Sequence, residues 1–208
     1  MSRLASLCAV LALVLIIALP TPSRAGQTSP TEIAGITLGA NADDLRDRLD
    51  LSRLAPLWDR PWLIRANLKP TKGFAAGYVI LGGCATSNRV ERVRLQYKDG
   101  SKALFDKLSA ALTARYGKPE TVEAAAKSGR YKGLRWIFGA KKAQSVDILL
   151  EHFADAGEES PAGNIIRISD NRAMGQERAC HESMLKGTPE PQPAFPLFEV
   201  DDSWLLPK

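Results

Sequence analysis

The stretch Arg89–Pro119 reads RVERVRLQYKDGSKALFDKLSAALTARYGKP and carries the clearest structural signal in the chain. Its first nine residues alternate between polar and apolar side chains, which is typical of a strand covered on one face. An Asp-Gly pair then gives a turn, because glycine adopts backbone angles that other residues resist. Ser101 is placed to cap a helix, and Gly117 and Pro119 are placed to end it. The stretch therefore predicts a strand, a tight turn and a long helix.

The polar face of this predicted strand carries Arg92 and Arg94, while Val93, Leu95 and Tyr97 lie on the opposite face. Arginines in that pattern are typical of the wet face of a half-covered sheet. The alternative is a basic strip that meets an acidic partner. These two arginines are the residues of the central stretch that we nominate for contact with another molecule.

Helix and strand signals occur in the same order on both sides of that stretch. The sequence predicts a helix over 42–51 with Asn41 as its N-cap, followed by three extended segments. The central helix is likewise followed by three extended segments and then by a last helix. This order predicts an α+β fold in which an antiparallel sheet of about five to six strands carries two to three helices on one face. Residues 41–97 and 101–169 are interpreted as a degenerate tandem repeat of one helix plus three strands.

Residues 1–25 have the pattern of a secretory signal peptide. Arg3 gives a positive start, residues 4–19 are apolar, and small residues precede a cleavage point after Ala25. We expect export and removal of this segment; the alternative is an uncleaved membrane anchor. Residues 26–187 are then predicted to form a single domain. Because residues 1–25 contain two arginines and no acid, their removal lowers the net charge from +5 to +3, which indicates no nucleic-acid partner.

Residues 188–208 differ in composition from the domain before them. Five of the 13 prolines lie there, so regular secondary structure is not expected. Large apolar side chains are also frequent, which is unusual for a disordered tail. Either this tail lies back over the domain or it docks on a partner, and its aromatic residues are candidate interaction residues: Phe195, Phe198 and Trp204.

Two cysteines, Cys84 and Cys180, remain once the signal segment is removed. In an oxidising compartment an even pair is usually a disulfide, and we predict that bond here. The alternative is a pair of buried free thiols, which pack as small hydrophobic side chains.

Trp58 and Trp62 flank an arginine in a proline-containing segment, where two indole rings could stack on a ligand. We expect instead that both rings fill the core. His152, at the end of a predicted strand, is the third residue of this candidate pocket.

Two short motifs resemble those of small exported α/β modules. They are Gly35-Ile36-Thr37-Leu38-Gly39, which precedes an Asp-Asp-Leu helix start, and Tyr116-Gly117-Lys118-Pro119 at a helix end. Both are similar to motifs in the outer-membrane assembly lipoprotein BamE and the β-lactamase inhibitory protein type. This resemblance implies a binding or assembly role rather than catalysis. The lipidated cysteine of the lipoprotein type is missing here, and the resemblance assigns no functional residue.

The motif search favours binding over catalysis. The sequence has no nucleophile elbow, no zinc-protease helix and no phosphate-binding loop, so we nominate no catalytic residue, metal ligand or cofactor. We predict an exported, periplasmic or secreted, non-catalytic protein that binds another envelope protein. It meets the membrane only through its signal peptide. The alternative is a small-ligand-binding protein or a hydrolase with a dispersed site.

Overall fold

The computed structural model describes residues 29–122, 131–139, 141, 145–155 and 162–186. Two α-helices are described, α1 (Lys102–Tyr116) and α2 (Asn171–Leu185), together with a short 3₁₀ helix at Ala42–Leu45. The described strands are β1 (Glu32–Ile33), β2 (Ile36–Thr37), β3 (Leu49–Leu57), β4 (Arg60–Leu68), β5 (Phe74–Gly82), β6 (Val90–Tyr97), β7 (Glu120–Val122), β8 (Tyr131–Phe138), β9 (Val146–Phe153) and β10 (Gly163–Asp170).

Eight of these strands form one antiparallel sheet in the order β3-β4-β5-β6-β10-β9-β8-β7, and β1 pairs with β2 separately. Each half of the sheet is a four-stranded meander, and the last strands of the two meanders, β6 and β10, pair with each other. The predicted antiparallel α+β fold is confirmed. The predicted five to six strands are too few, and each half has four strands rather than three. The start of β3 was predicted as part of a helix, and β7 has only three residues, too few for a clear strand pattern.

The central stretch folds as its sequence predicts. β6 is followed by α1, and the Ser101 hydroxyl accepts a hydrogen bond from the backbone N–H of Leu104. Gly117 ends the helix at φ 77°, a left-handed conformation that suits glycine. These features depend only on residues close in sequence, which explains why they are visible without the structure.

The predicted helix over 42–51 is wrong. Asn41 does cap a helix by accepting from the N–H of Asp43, but the helix is a 3₁₀ turn of four residues. From Leu49 the chain runs as β3 and pairs with β4. Pairing buries Leu49 to 1% exposure, whereas a lone helix with few apolar residues would have buried little. Pro56 is tolerated because β3 is an edge strand, where a missing N–H breaks no ladder on the outer side.

One face of the sheet carries the main core. Val93, Leu95, Leu150 and Ile168 are buried there, and α1 packs over β9 and β10 through the fully buried Phe105. The 3₁₀ helix and the β1–β2 pair cover the neighbouring part of this core. The second helix, α2, contacts the ends of strands β4, β5, β6 and β9 instead. The prediction that all helices lie on one face is therefore wrong for α2.

None of the helices in the described part of the chain is both long enough and apolar enough to cross a membrane.

Candidate functional site

The sheet face opposite the main core carries at least five arginines. Arg135 of β8 is paired with Asp147, and the other four lie on three strands. Alternation along each strand places Arg92 and Arg94 of β6, Arg167 of β10 and Arg65 of β4 on this side. We call these four residues the arginine face. Arg65 is exposed, and the other three are half-buried. The sequence predicted the polar orientation of Arg92 and Arg94. Arg167 and Arg65 join them only through strand pairing.

Two members of the arginine face lie directly opposite each other. Arg94 and Arg167 are register partners in the antiparallel pair of β6 and β10. Like charges at directly opposite positions destabilise a sheet. Burial, and then the nearby positive charge of Arg167, lower the pKa of Arg92 to about 10. The middle of the sheet therefore concentrates positive charge at a cost to stability.

Neutral partners hold these arginines in place. The Arg65 guanidinium lies 4.3 Å from the centre of the Tyr78 ring, and the Arg94 guanidinium lies 5.6 Å from the same ring. Arg92 Nε donates to Ser169 Oγ at 3.0 Å. Cation–π contacts and neutral hydrogen bonds orient a guanidinium but leave its charge in place.

Among the described residues, no carboxylate forms an ion pair with the arginine face, although the negative charge of Asp147 acts on Arg92. The ion pairs found there involve other residues, and the buried Nε of Arg167 has no hydrogen-bond acceptor. On the same side of the sheet, Asp147 Oδ2 lies 3.3 Å from Arg135 Nε, and Glu151 accepts from the Tyr131 hydroxyl. Asp147 is thus paired with Arg135, and Glu151 keeps its negative charge on this side of the sheet without an ion pair to the arginine face. The arginine face retains donors for an external anion.

A cavity of about 860 Å³ opens beside the arginine face. Strands β4, β5 and β6 and the loop after β4 form its walls, and Tyr78 is among the lining residues. No carboxylate is among the described residues that line it, whereas five cationic side chains are: Arg65, Lys69, Lys72, Arg94 and Lys98. The cavity therefore extends the positive surface.

A buried pair of glutamates lies at the end of the sheet where α2 packs. Glu91 and Glu177 are 1% and 0% exposed. Thr86 Oγ1 lies 2.7 Å from Glu91 Oε1 and 2.8 Å from Glu177 Oε1. Gly82 makes room for this cluster, since a Cβ there would lie 2.6 Å from Glu177 Oε1.

The hydrogen bonds of this pair determine which glutamate carries a proton. Glu177 also accepts from the backbone N–H groups of Gly83, Cys84 and Thr86, so it is the ionised partner. A hydroxyl donates only one proton, so Thr86 can donate to one carboxylate only. Beside the ionised Glu177, the buried Glu91 is the partner whose protonated form is favoured. Burial raises the pKa of Glu91 to about 7, in agreement with that assignment.

The sequence analysis did not identify this pair. One feature of the sequence could have predicted the burial of Glu177, which lies one helical turn before Cys180. A disulfide at Cys180 holds that side of the helix against the loop after β5.

The predicted disulfide is confirmed. Cys84 and Cys180 are joined, with Cα atoms 6.0 Å apart and a sequence separation of 96 residues. The bond ties α2 to the loop after β5, beside the contacts that Glu177 makes.

The residues of the predicted small-ligand pocket are not brought together. Trp58 is 96% exposed at the turn between β3 and β4, so the expectation that both tryptophans fill the core is wrong for Trp58. Trp62 packs against His181 of α2, with ring centres 4.8 Å apart. His152 lies under α1, where its Nδ1 is 2.8 Å from Asn164 Oδ1. Since β4 and β9 are four strands apart, roughly 19 Å separates these positions.

The remaining sequence predictions receive no test from the structure. Phe195, Phe198 and Trp204 lie outside the described residues, as do the signal segment and the tail. In the described part of the chain, no group of three or more His, Cys, Asp or Glu side chains is arranged to hold a metal ion.

No protein-family model, curated protein or solved structure matches this chain. The resemblance to exported α/β modules therefore stays a prediction.

Proposed function

We propose that this protein is an exported, non-catalytic binding protein that docks an acidic partner protein of the cell envelope on its arginine face. The observation that carries the proposal is the direct opposition of Arg94 and Arg167, without a carboxylate partner among the described residues. Such an arrangement costs stability in the free protein. An acidic partner that neutralises both charges offsets that cost.

The chemistry of arginine favours a carboxylate-bearing partner. A guanidinium presents several N–H donors in a plane and pairs with carboxylates through two parallel hydrogen bonds. Tyr78 between Arg65 and Arg94 adds an aromatic surface, and tyrosine and arginine are both enriched at protein interfaces. The arginine face thus combines the charge and the flat aromatic area that a protein partner needs.

The disulfide supports the proposed location. Disulfides persist in exported and extracellular proteins and are rare in reducing compartments. The Cys84–Cys180 bond is therefore compatible with the periplasmic or secreted location that the signal-like segment predicts.

The test is recovery of a partner from native envelope extract with the mature protein as bait. We expect wild-type bait to recover an acidic protein that also binds when purified. The R94E/R167E bait should lose it, and higher salt should weaken it. R53E is the matched control, because Arg53 is an exposed arginine on the edge strand β3. Equal recovery by R94E/R167E, or no acidic partner with wild-type bait, would contradict the proposal.

The cavity favours a second candidate function, binding of a small anionic ligand. Five cationic side chains and no described carboxylate line it. Calorimetric titration with citrate and pyrophosphate tests this candidate function. Saturable binding that K72E/K98E abolishes supports anion binding in the cavity. The absence of any heat of binding excludes it for these two probes.

A further inference from the structure

Apart from the arginine face, the strongest unassigned feature of the chain is the charge of the tail, residues 188–208. This segment holds four acidic residues and one lysine, whereas residues 26–187 have an excess of basic residues. Three of the acids lie close together, at Glu199, Asp201 and Asp202. The tail is thus an acidic segment of this chain whose charge complements the arginine face.

We propose that the tail of this chain binds its own arginine face through Glu199 and Asp201, and so competes with the external partner. The competition rests on the proposed function, but the binding of the tail does not. The tail of the same chain would then cover the arginine face until an acidic partner with higher affinity displaces it.

The spacing of the charges fits this pairing. Glu199 and Asp201 are two residues apart, and in an extended segment they project to the same side about 7 Å apart. Arg92 and Arg94 have the same spacing along β6 and also project to one side. Arg167 lies directly across from Arg94 and offers a third guanidinium at that point. An extended acidic segment can therefore match two or three arginines at once.

The last turns of α2, which precede the tail in sequence, lie against the start of β4. Cys180 is bonded to Cys84, and the His181 ring packs on Trp62 at the start of β4. The sheet from β4 to β10 spans three strand spacings, or about 14 Å. The dozen residues before Glu199 can extend over about 40 Å. The chain is therefore long enough to bring its acids to β6 and β10.

Because the tail is covalently linked to the domain, even a weak contact is sufficient for it to occupy the arginine face. A segment tethered to its own binding surface has an effective concentration in the millimolar range, so an individually weak contact is substantially occupied. An external partner has to exceed that occupancy, which raises the apparent dissociation constant for the partner. The tail thereby sets a threshold for docking.

Photo-cross-linking in the full chain tests the contact. Phe198 is replaced by p-benzoylphenylalanine, the protein is irradiated, and the cross-linked peptides are identified by mass spectrometry. We expect intramolecular links to peptides of β6 or β10. R94E/R167E should lower the yield about tenfold, which corresponds to a loss of about 1.4 kcal/mol. Adding E199R/D201R to that variant should restore the links, while R53E should leave them unchanged.

Three outcomes overturn the proposal: links to other strands, links that persist in R94E/R167E, or links only between two copies of the chain. Thermal melting of each variant separates loss of contact from loss of fold, and the restoring variant keeps the test valid where charge reversal disturbs the sheet.

The proposed function is judged separately. With a recovered partner, E199R/D201R should increase the apparent affinity for that partner about threefold or more. Failure of the cross-links with Arg94-dependent partner binding intact overturns only the role of the tail. Cross-links without any external partner overturn only the proposed function.

Discussion

Glu91 and Glu177 share the hydroxyl of Thr86 and give the protein a pH-dependent stability. Burial raises the folded-state pKa of Glu91 to about 7 from an ordinary value of 4.5. Its neutral form is therefore favoured by folding, and this contribution is fully present below about pH 4.5 and is lost as the pH rises through about 7. We expect the free energy of unfolding to fall across that window.

The variant E91Q isolates this effect, because glutamine keeps a neutral side chain of the same shape at every pH. Asp170, Arg89 and Arg172 line the small cavity beside Glu91, and they remain unchanged in both proteins. We expect urea denaturation to show E91Q and wild type nearly equal at pH 5 and E91Q more stable at pH 8. The same difference in free energy of unfolding between E91Q and wild type at both pH values would show that Glu91 is ionised in the folded protein.

Arg94 and Arg167 should lower the stability of the free protein. Since their like charges are register partners, replacing one with glutamine should raise the free energy of unfolding by about 0.5 kcal/mol, less at high salt. Chemical denaturation of R167Q at low and high salt checks this, with R53Q as the control at an edge-strand position. A loss of stability in R167Q would mean that Arg167 is held by favourable contacts.

Alternation along the sequence was enough to predict the polar orientation of Arg92 and Arg94, but not the site. Arg167 lies 73 positions further along the chain than Arg94, and only the pairing of β6 with β10 places them together. The raised pKa of Glu91 depends equally on long-range contacts, because Glu177 lies on a different element. Local patterns carry no information on which strands become neighbours.

At the scale of elements, α1 has a narrower role than its sequence suggests. The element order in the sequence predicts this helix at the junction of two halves, but its contacts are concentrated on β9 and β10 of the second half. The pairing of β6 with β10 joins the halves instead. A helix cap and an apolar stripe predict that a helix forms, whereas the strands that it covers are decided by the chain topology.

Packing predicts unequal costs for two substitutions in α1. Phe105 is fully buried and Leu108 is half-buried, so F105A should destabilise the protein by about 3–5 kcal/mol and L108A by clearly less. Chemical denaturation of both variants gives the comparison, and the exposed A110G serves as a helix-propensity control at a cost of about 1 kcal/mol. An L108A loss equal to that of F105A would place Leu108 deeper in the core than its exposure indicates.

At the scale of the whole molecule, the sequence allowed an antiparallel α+β fold to be predicted but not its eight-stranded order. Segments of β5 in the first half and of β9 and β10 in the second carry clear strand signals, whereas β4 reads only as an irregular strand. β3 was hidden, because Asn41 and the acids after it look like the start of a longer helix. The register between β6 and β10 joins segments about 70 residues apart. The pattern of polar and apolar residues along the sequence does not predict such a pairing.

The two meanders should unfold as one unit, although their element order is the same. Their apolar faces form one core, in which Val93 and Leu95 of β6 pair with Ile168 and Ile166 of β10. Because each meander would expose this seam if it unfolded alone, we expect a single transition with the same midpoint in tryptophan fluorescence and far-ultraviolet circular dichroism. L95A should lower the free energy of unfolding by about 2–5 kcal/mol and lower the midpoint of both signals together. Two separate transitions, or an L95A effect confined to one signal, would mean that the halves are independent folding units and that β6–β10 pairing only docks them.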